Sequence, residues 1–170
     1  MTITAPAATP ILPPYILPVL IDLAECVCTK LAEEGAGRTC WCGIWPGAEV
    51  SWEYCGECAG DACGMGWVRL MAVFPYDTFP VASIDLRCSR PLAYQVEIGA
   101  LRCLPQPAEG TVVDPAVMTE VALSVAADTW ALYRAAECCE ASDKAIVGYL
   151  PLGPSGGCVG GSWSIFLAVD

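Results

Sequence analysis

The segment LAYQVEIGALRCL, residues 92–104, has the alternating pattern of a long β-strand. The apolar side chains that share one side of it are Tyr94, Val96 and Ile98. The polar residues Gln95 and Glu97 fall on the opposite side. We therefore expect a strand with one face in a hydrophobic core and the other face in water.

Further strands are predicted on both sides of this segment. The run GWVRLMAVF, residues 66–74, ends before Pro75 and carries Arg69 as its only charge, which indicates a largely buried, central strand. The other predicted strands are residues 48–54, 84–87, 145–150 and 162–169. The glycine-rich stretch PLGPSGGCVGG, which separates the last two, is expected to be a loop.

Two segments have the three- and four-residue spacing of apolar positions that is typical of amphipathic helices. Residues 17–34 form the first, which Gly35 ends, and its apolar positions are Leu20, Leu23, Val27 and Leu31. The second covers about residues 114–140, with Asp114 as N-cap and Pro115 as first helical residue. Its apolar stripe is Met118, Val121, Val125, Leu132 and Ala136. This helix would be roughly 40 Å long.

The order of these elements predicts an α+β fold, in which an N-terminal helix and one long helix cover one face of a mostly antiparallel sheet. The chain has 170 residues and 55% apolar residues, enough for one domain with its own core, predicted here for residues 17–170. A cysteine-rich loop is expected at residues 35–66. Residues 1–16 are rich in proline and are expected to form an extended arm that lies on a neighbouring subunit.

The charge of the chain argues against two classes of partner. Its net charge of −11 would repel phosphate backbones and anionic lipid, so we expect neither sequence-specific nucleic-acid binding nor membrane binding. The apolar N-terminus has no basic region and is interrupted by prolines, which is unlike a targeting or membrane-spanning segment. The sequence favours a protein whose partners are other proteins.

The residues that commonly carry catalysis are scarce. Histidine is absent, which removes the commonest general base and rules out a serine–histidine triad. The two lysines, Lys30 and Lys144, lie in no catalytic motif. The glycine-rich residues 153–162 lack the lysine and the following helix that hold a phosphate group. We therefore expect no enzymatic activity and no cofactor.

The strongest chemical signal is the set of 12 cysteines. Five of them lie within one short segment, and they are zinc-ligand candidates because a structural zinc ion takes four thiolates: Cys40, Cys42, Cys55, Cys58 and Cys63. A thioredoxin-like role for the CxxC at Cys55 lacks the βαβ context that such a motif needs. Disulfides are favoured over zinc because the remaining cysteines are scattered over every predicted element.

The disulfide candidates include the same five cysteines and add Cys103, Cys138, Cys139 and Cys158. Their pairing cannot be deduced from the sequence. Neighbouring residues of a helix point about 100° apart, so Cys138 and Cys139 are expected to bond to two different partners, for which Cys103 and Cys158 are reasonable choices. A disulfide-rich protein without an export signal is compatible with a virion component, which is made in a cytoplasm and released by lysis.

Several segments together resemble a family of actinobacteriophage neck proteins of the head-to-tail connector or tail-terminator type. They are CWCGIWPG, GMGWVRL, LAYQVEIGALRC, the Asp-Pro-led helix that ends in ECC, and YLPLGPSGGCVGGSWSIFLAV. The resemblance extends over most of the chain from Cys40 onward. Its most specific part is the ECC with GGCVGGSW.

The resemblance implies a small α/β protein that forms a hexameric ring on the end of a phage tail tube and joins it to the head-side connector. It implies location in the virion neck, and a lumen through which DNA passes. The arm and residues 40–63 would then contact neighbouring subunits. A zinc-binding Cys₄ interaction module is the alternative that the sequence leaves open.

Overall fold

Two helices and six strands make up the computed structural model, which describes residues 16–52, 55–56, 58, 63–84, 91–107, 109–110 and 112–169. The helices are α1 (Ile16–Glu33) and α2 (Pro115–Cys138). The strands are β1 (Trp41–Ile44), β2 (Met65–Thr78), β3 (Val81–Ala82), β4 (Leu92–Cys103), β5 (Asp143–Ser155) and β6 (Cys158–Ala168). The predicted α+β class is confirmed.

The strands form one sheet in the order β1-β2-β4-β6-β5, and β3 pairs with the far end of β2. The β1–β2 pair is parallel, and the remaining pairs are antiparallel. Strand β4 lies in the middle, where it pairs with β2 over Met65–Pro75 and with β6 along its whole length. The sheet is therefore mostly antiparallel, as predicted, with β1 and β5 at its two edges.

The predicted strand at residues 48–54 is wrong over its described part, residues 48–52, and the strand of this region is β1 instead. Side chains take the backbone acceptors that a strand would use. The Arg69 guanidinium donates to the Ala48 carbonyl, and the Trp45 indole donates to the Glu49 carbonyl at 2.8 Å. Ile84 lies outside any strand, and residues 85–87 of that predicted strand lie outside the described residues.

The glycine-rich stretch before β6 is mostly strand, and this corrects the predicted loop. Its turn consists of Gly156 and Gly157, whose φ angles of 57° and 77° are those of a two-residue hairpin turn. Gly160 lies within β6, where a Cβ would come 1.9 Å from the Ala100 carbonyl oxygen of β4. Glycine is needed there because the two backbones approach closely, so glycine content is a poor sign of a loop here.

Both helices pack on one face of the sheet, and their contacts form the main hydrophobic core. The predicted apolar face of α1 is confirmed, since Leu20, Leu23, Val27 and Leu31 are all buried. In α2 the stripe is buried only in its second half, because the buried residues begin at Asp128. Met118 is 42% exposed, so the first half of the predicted stripe is not part of the core.

The opposite face of β4 is covered, which corrects the prediction of a wet face. Glu97 is only 8% exposed, and Trp67 and Leu101 beside it are fully buried. The described part of residues 41–55, with its tryptophans, packs over this end of the sheet and forms a second, smaller core. The sheet is therefore sandwiched between two helices on one side and an irregular, cysteine-rich layer on the other.

Candidate interaction surface

Four disulfides hold the cysteine-rich layer in place. They are Cys28–Cys42, Cys40–Cys58, Cys55–Cys158 and Cys63–Cys103, with Cα–Cα distances of 5.7, 5.7, 6.4 and 5.9 Å. All five zinc candidates are thus used, each in a disulfide. Among the residues that the structure describes, no group of three or more potential ligands could hold a metal ion.

Two disulfide candidates have free thiols. Cys138 and Cys139 are unbonded, because Cys103 and Cys158, their expected partners, are bonded to Cys63 and Cys55. Sequence reasoning also missed Cys28, which bonds to Cys42 of β1. The helical period gave a usable signal for it, since Cys28 follows Val27 on the side of α1 that turns towards the sheet.

Two buried ion pairs, one on each face of the sheet, hold loops to the strands. On the layer face, Arg69 donates to both carboxylate oxygens of Glu97, at 2.9 and 3.0 Å. On the helix face, Arg102 donates to Asp128 at 2.6 and 2.9 Å. The Arg102 guanidinium also donates to the carbonyls of Gly37, Arg38 and Cys63.

These arginines have a structural role. Among the described carboxylates, Glu97 and Asp128 are the buried ones, and each is neutralised by its arginine. A buried charge is tolerated when it is paired and hydrogen-bonded in this way. Neither pair leaves a free group that would suit acid or base catalysis.

A cleft of about 750 Å³ lies beside Arg102. It separates the first half of α2 from the loop that follows α1. Its walls include Ala36, Arg38, Pro105, Val117 and Val121. Glu120 and Ser124 also line it, and the Arg102 guanidinium already makes five hydrogen bonds, so each of its N–H groups is engaged within the protein.

The exposed apolar residues of the described chain include two groups, one at the start of α2 and one where the middle of α2 lies beside the edge strand β5. The first, which we call the helix-start surface, consists of Val112, Met118 and Leu123, with exposures of 89%, 42% and 66%. The second, the edge-strand surface, consists of Trp130 of α2 and Val147 of β5, which are 58% and 60% exposed. Apolar side chains grouped on a surface are typical of contacts with other proteins.

The edge-strand surface is built on aromatic rings that join α2 to the sheet. Trp130 stacks on Tyr133, and Tyr133 contacts Trp163, with 5.6 Å between ring centroids in each pair. Trp163 in turn contacts Tyr149 of β5 at 5.6 Å and donates its indole N–H to the Thr129 carbonyl. Aromatic residues supported in this way are common anchors of protein interfaces. The outer edge of β5 beside them has no strand paired to it within the described sheet.

The segments predicted to contact neighbours have different outcomes. Residues 1–15 of the arm lie outside the described residues. The described part of residues 40–63 packs its tryptophans against its own sheet, with Trp41 and Trp45 in edge-to-face contact at 5.4 Å. Its outward side, residues 46–49, is exposed. That side would be the part available to a neighbour.

No helix in the described part of the chain is long and apolar enough to cross a membrane. No known protein-family model and no curated protein matches this sequence.

Proposed function

We propose that this protein is a structural subunit of the head-to-tail junction of a tailed bacteriophage, of the tail-terminator type, and that it assembles into a closed ring. The observation that carries the proposal is the presence of two exposed apolar surfaces, one at the start of α2 and one beside the unpaired edge strand β5. A ring of identical subunits needs two such patches, because each subunit contacts its neighbour head to tail. The resemblance of residues 40–169 to phage neck proteins points to the same assembly.

Covalent and ionic cross-links stabilise the part of the protein that carries the edge-strand surface. Disulfides join the cysteine-rich layer to β4 and β6, and the buried ion pair of Arg102 with Asp128 joins β4 to α2. The second half of α2, which carries Trp130, is therefore held to the sheet. The free edge of β5 adds backbone donors and acceptors that a neighbouring subunit can pair with.

The ring is tested by the mass of the full-length protein in solution, measured by light scattering and native mass spectrometry, with negative-stain images of the same sample. We expect closed rings of about six copies. Leu123→Asp and Val147→Asp each place a charge in one surface and should give monomers. Val81→Asp is the matched control, because Val81 is a similarly exposed valine on β3 that belongs to neither surface.

Mixing the two charged variants tests the head-to-tail geometry. Each variant keeps the surface that the other has lost, so one interface can form and the mixture should contain dimers without rings. A monomeric parent at all concentrations, or rings that survive both substitutions, would contradict the proposal. One zinc ion per chain with free thiols at Cys40, Cys42, Cys55 and Cys58 would favour the metal-binding alternative instead.

A further inference from the structure

The three free thiols of the described chain lie together where α1 and α2 pack against each other. Cys26 lies on α1, Cys138 is the last residue of α2, and Cys139 is its C-cap. The two helices run antiparallel, since the Ala36 N–H after α1 donates to Asp128 at 2.8 Å, and ten residues further along each helix Cys138 comes level with Cys26. The Cys138 thiol accordingly contributes to a raised pKa of Cys26. Cysteines brought together from residues so distant in the sequence form a site of their own, separate from the disulfide layer.

The surroundings of the three thiols differ. Cys138 is exposed, Cys26 is half-buried, and Cys139 is only 6% exposed within the helix-face core. The backbone turns from helical to extended at Cys139, which directs the two neighbouring side chains to different places. The Lys144 ammonium holds this end of α2 by donating to the carbonyls of Ala136, Glu137 and Cys139. A bond between Cys138 and Cys139 would require Cys139 to leave the core.

We propose that Cys26 and Cys138 are an oxidisable dithiol site, which a small-molecule disulfide converts to a fifth disulfide that joins α1 to α2 while Cys139 stays reduced. None of the four disulfides in the described structure involves α2. The new bond would therefore tie down a helix that is held by packing, an ion pair and hydrogen bonds alone. The proposal stands apart from ring formation and would hold for a monomer.

The chemistry is thiol–disulfide exchange in two steps. The exposed Cys138 thiolate attacks the reagent disulfide, which forms a mixed disulfide on Cys138 and releases one reagent thiolate. That thiolate takes the proton of Cys26, and the Cys26 sulfur then attacks the Cys138 sulfur and releases the second reagent thiolate, which takes up the proton that Cys138 had lost to solvent. Two cysteine sulfurs are oxidised and two reagent sulfurs are reduced, so atoms and electrons balance.

The second step is the slower one. Burial and the hydrogen bond with Cys138 raise the pKa of Cys26 to about 12, although the Lys30 ammonium nearby acts in the opposite direction. Burial also raises the pKa of Cys139. Neither thiol is a good first nucleophile near neutral pH, since the thiolate is the reactive form. Cys138 is accordingly the entry point.

The test uses the full-length protein, glutathione disulfide as the probe, and tryptic mapping without reductant. Trypsin releases residues 135–144, which contain Cys138 and Cys139, whereas residues 1–30, which contain Cys26 and Cys28, stay bonded to residues 39–69 through Cys28–Cys42. We expect two free thiols per chain to be lost together and residues 135–144 to become bonded to the group of fragments that contains residues 1–30. The link should be absent in Cys26→Ser and in Cys138→Ser, and present in the control Cys139→Ser.

Thermal unfolding of the same samples gives a second readout. Oxidation should raise the melting temperature of the parent and of Cys139→Ser by about 5 °C, and should leave that of Cys26→Ser unchanged. A glutathione adduct that stays on Cys138, a link within residues 135–144, a link that survives Cys26→Ser, or thiols that do not react would each overturn the proposal. Because Cys138 is exposed, Cys138→Ser tests the site even where Cys26→Ser folds poorly.

Discussion

The two faces of the sheet are covered by different means. On the helix face, α1 and α2 bury a continuous apolar core, and a single disulfide, Cys28–Cys42, ties α1 to β1. On the opposite face a short, irregular segment covers the sheet, and it contributes a cysteine to each of the three other disulfides. Regular helices bury enough apolar surface to hold themselves, whereas a segment without regular structure must be cross-linked to stay ordered.

The largest effect that this comparison predicts is the loss of the Cys55–Cys158 disulfide. It closes a loop of 103 residues and ties the layer to β6, so Cys55→Ser with Cys158→Ser should lower the free energy of unfolding by about 4 kcal/mol. Urea unfolding measures this. The matched control removes Cys40–Cys58, which spans 18 residues and should cost less, about 3 kcal/mol. An equal or smaller loss for the long-range pair would contradict the view that it anchors the layer.

Breaking one buried ion pair is expected to have the next largest effect. Asp128→Asn keeps the shape of the side chain but leaves the Arg102 guanidinium buried without a counter-charge, which should cost about 3 kcal/mol in urea unfolding. Arg134→Gln is the control, because its contacts with Glu34 and Glu137 lie at the surface and their loss should have little effect. Glu97→Gln makes the same change on the other face. If both faces of the sheet depend on their buried ion pair, Asp128→Asn and Glu97→Gln will lower the free energy of unfolding by similar amounts.

The helices and the central strand were predictable because the apolar residues that identify them recur within short segments of the sequence. The Asp114-Pro115 start of α2 is seen in the structure, where the Asp114 carboxylate accepts from the Ala116 N–H at 2.8 Å. The alternation of residues 92–104 likewise located β4. Each of these signals depends on residues a few positions apart. No long-range information is needed to interpret them.

The predictions that were wrong concern contacts between residues that are distant in the sequence. Glu97 was assigned to water because it is charged, but Arg69, Trp67 and the covering layer make it a buried acceptor. The disulfide partners of Cys103 and Cys158 lie 40 and 103 residues away, and no local pattern encodes such pairs. The proximity of Cys26 to Cys138 likewise joins residues that are far apart in the sequence. The sequence thus revealed the helix face and the chemistry of the layer, but not the way in which the layer is held.

The two halves of α2 sharpen the comparison, because one helix offers a buried and an exposed leucine. Leu132 is 1% exposed in the helix-face core, so Leu132→Ala should cost about 2.5 kcal/mol through lost contacts and a cavity. Leu123 is 66% exposed, and Leu123→Ala should change the stability of the isolated subunit by less than about 0.5 kcal/mol. Urea unfolding of both variants measures these two changes in the free energy of unfolding. A large loss for Leu123→Ala in the monomer would show that the first half of α2 packs on something within the chain.

The smallest effect concerns the start of α2, where little besides the N-cap holds the helix. Asp114→Ala leaves the Ala116 N–H without its acceptor and should cost about 1 kcal/mol locally. Since no residue of α2 before Asp128 is buried, this cost should appear as fraying, seen as faster amide exchange around Met118, with little change in global unfolding. The amides of the second half of the helix serve as the internal control. If a neighbouring subunit covers the helix-start surface in a ring, packing against that neighbour also stabilises the first turn of α2. Asp114→Ala should then have a smaller effect on amide exchange in the ring than in the monomer, where the cap alone stabilises this turn.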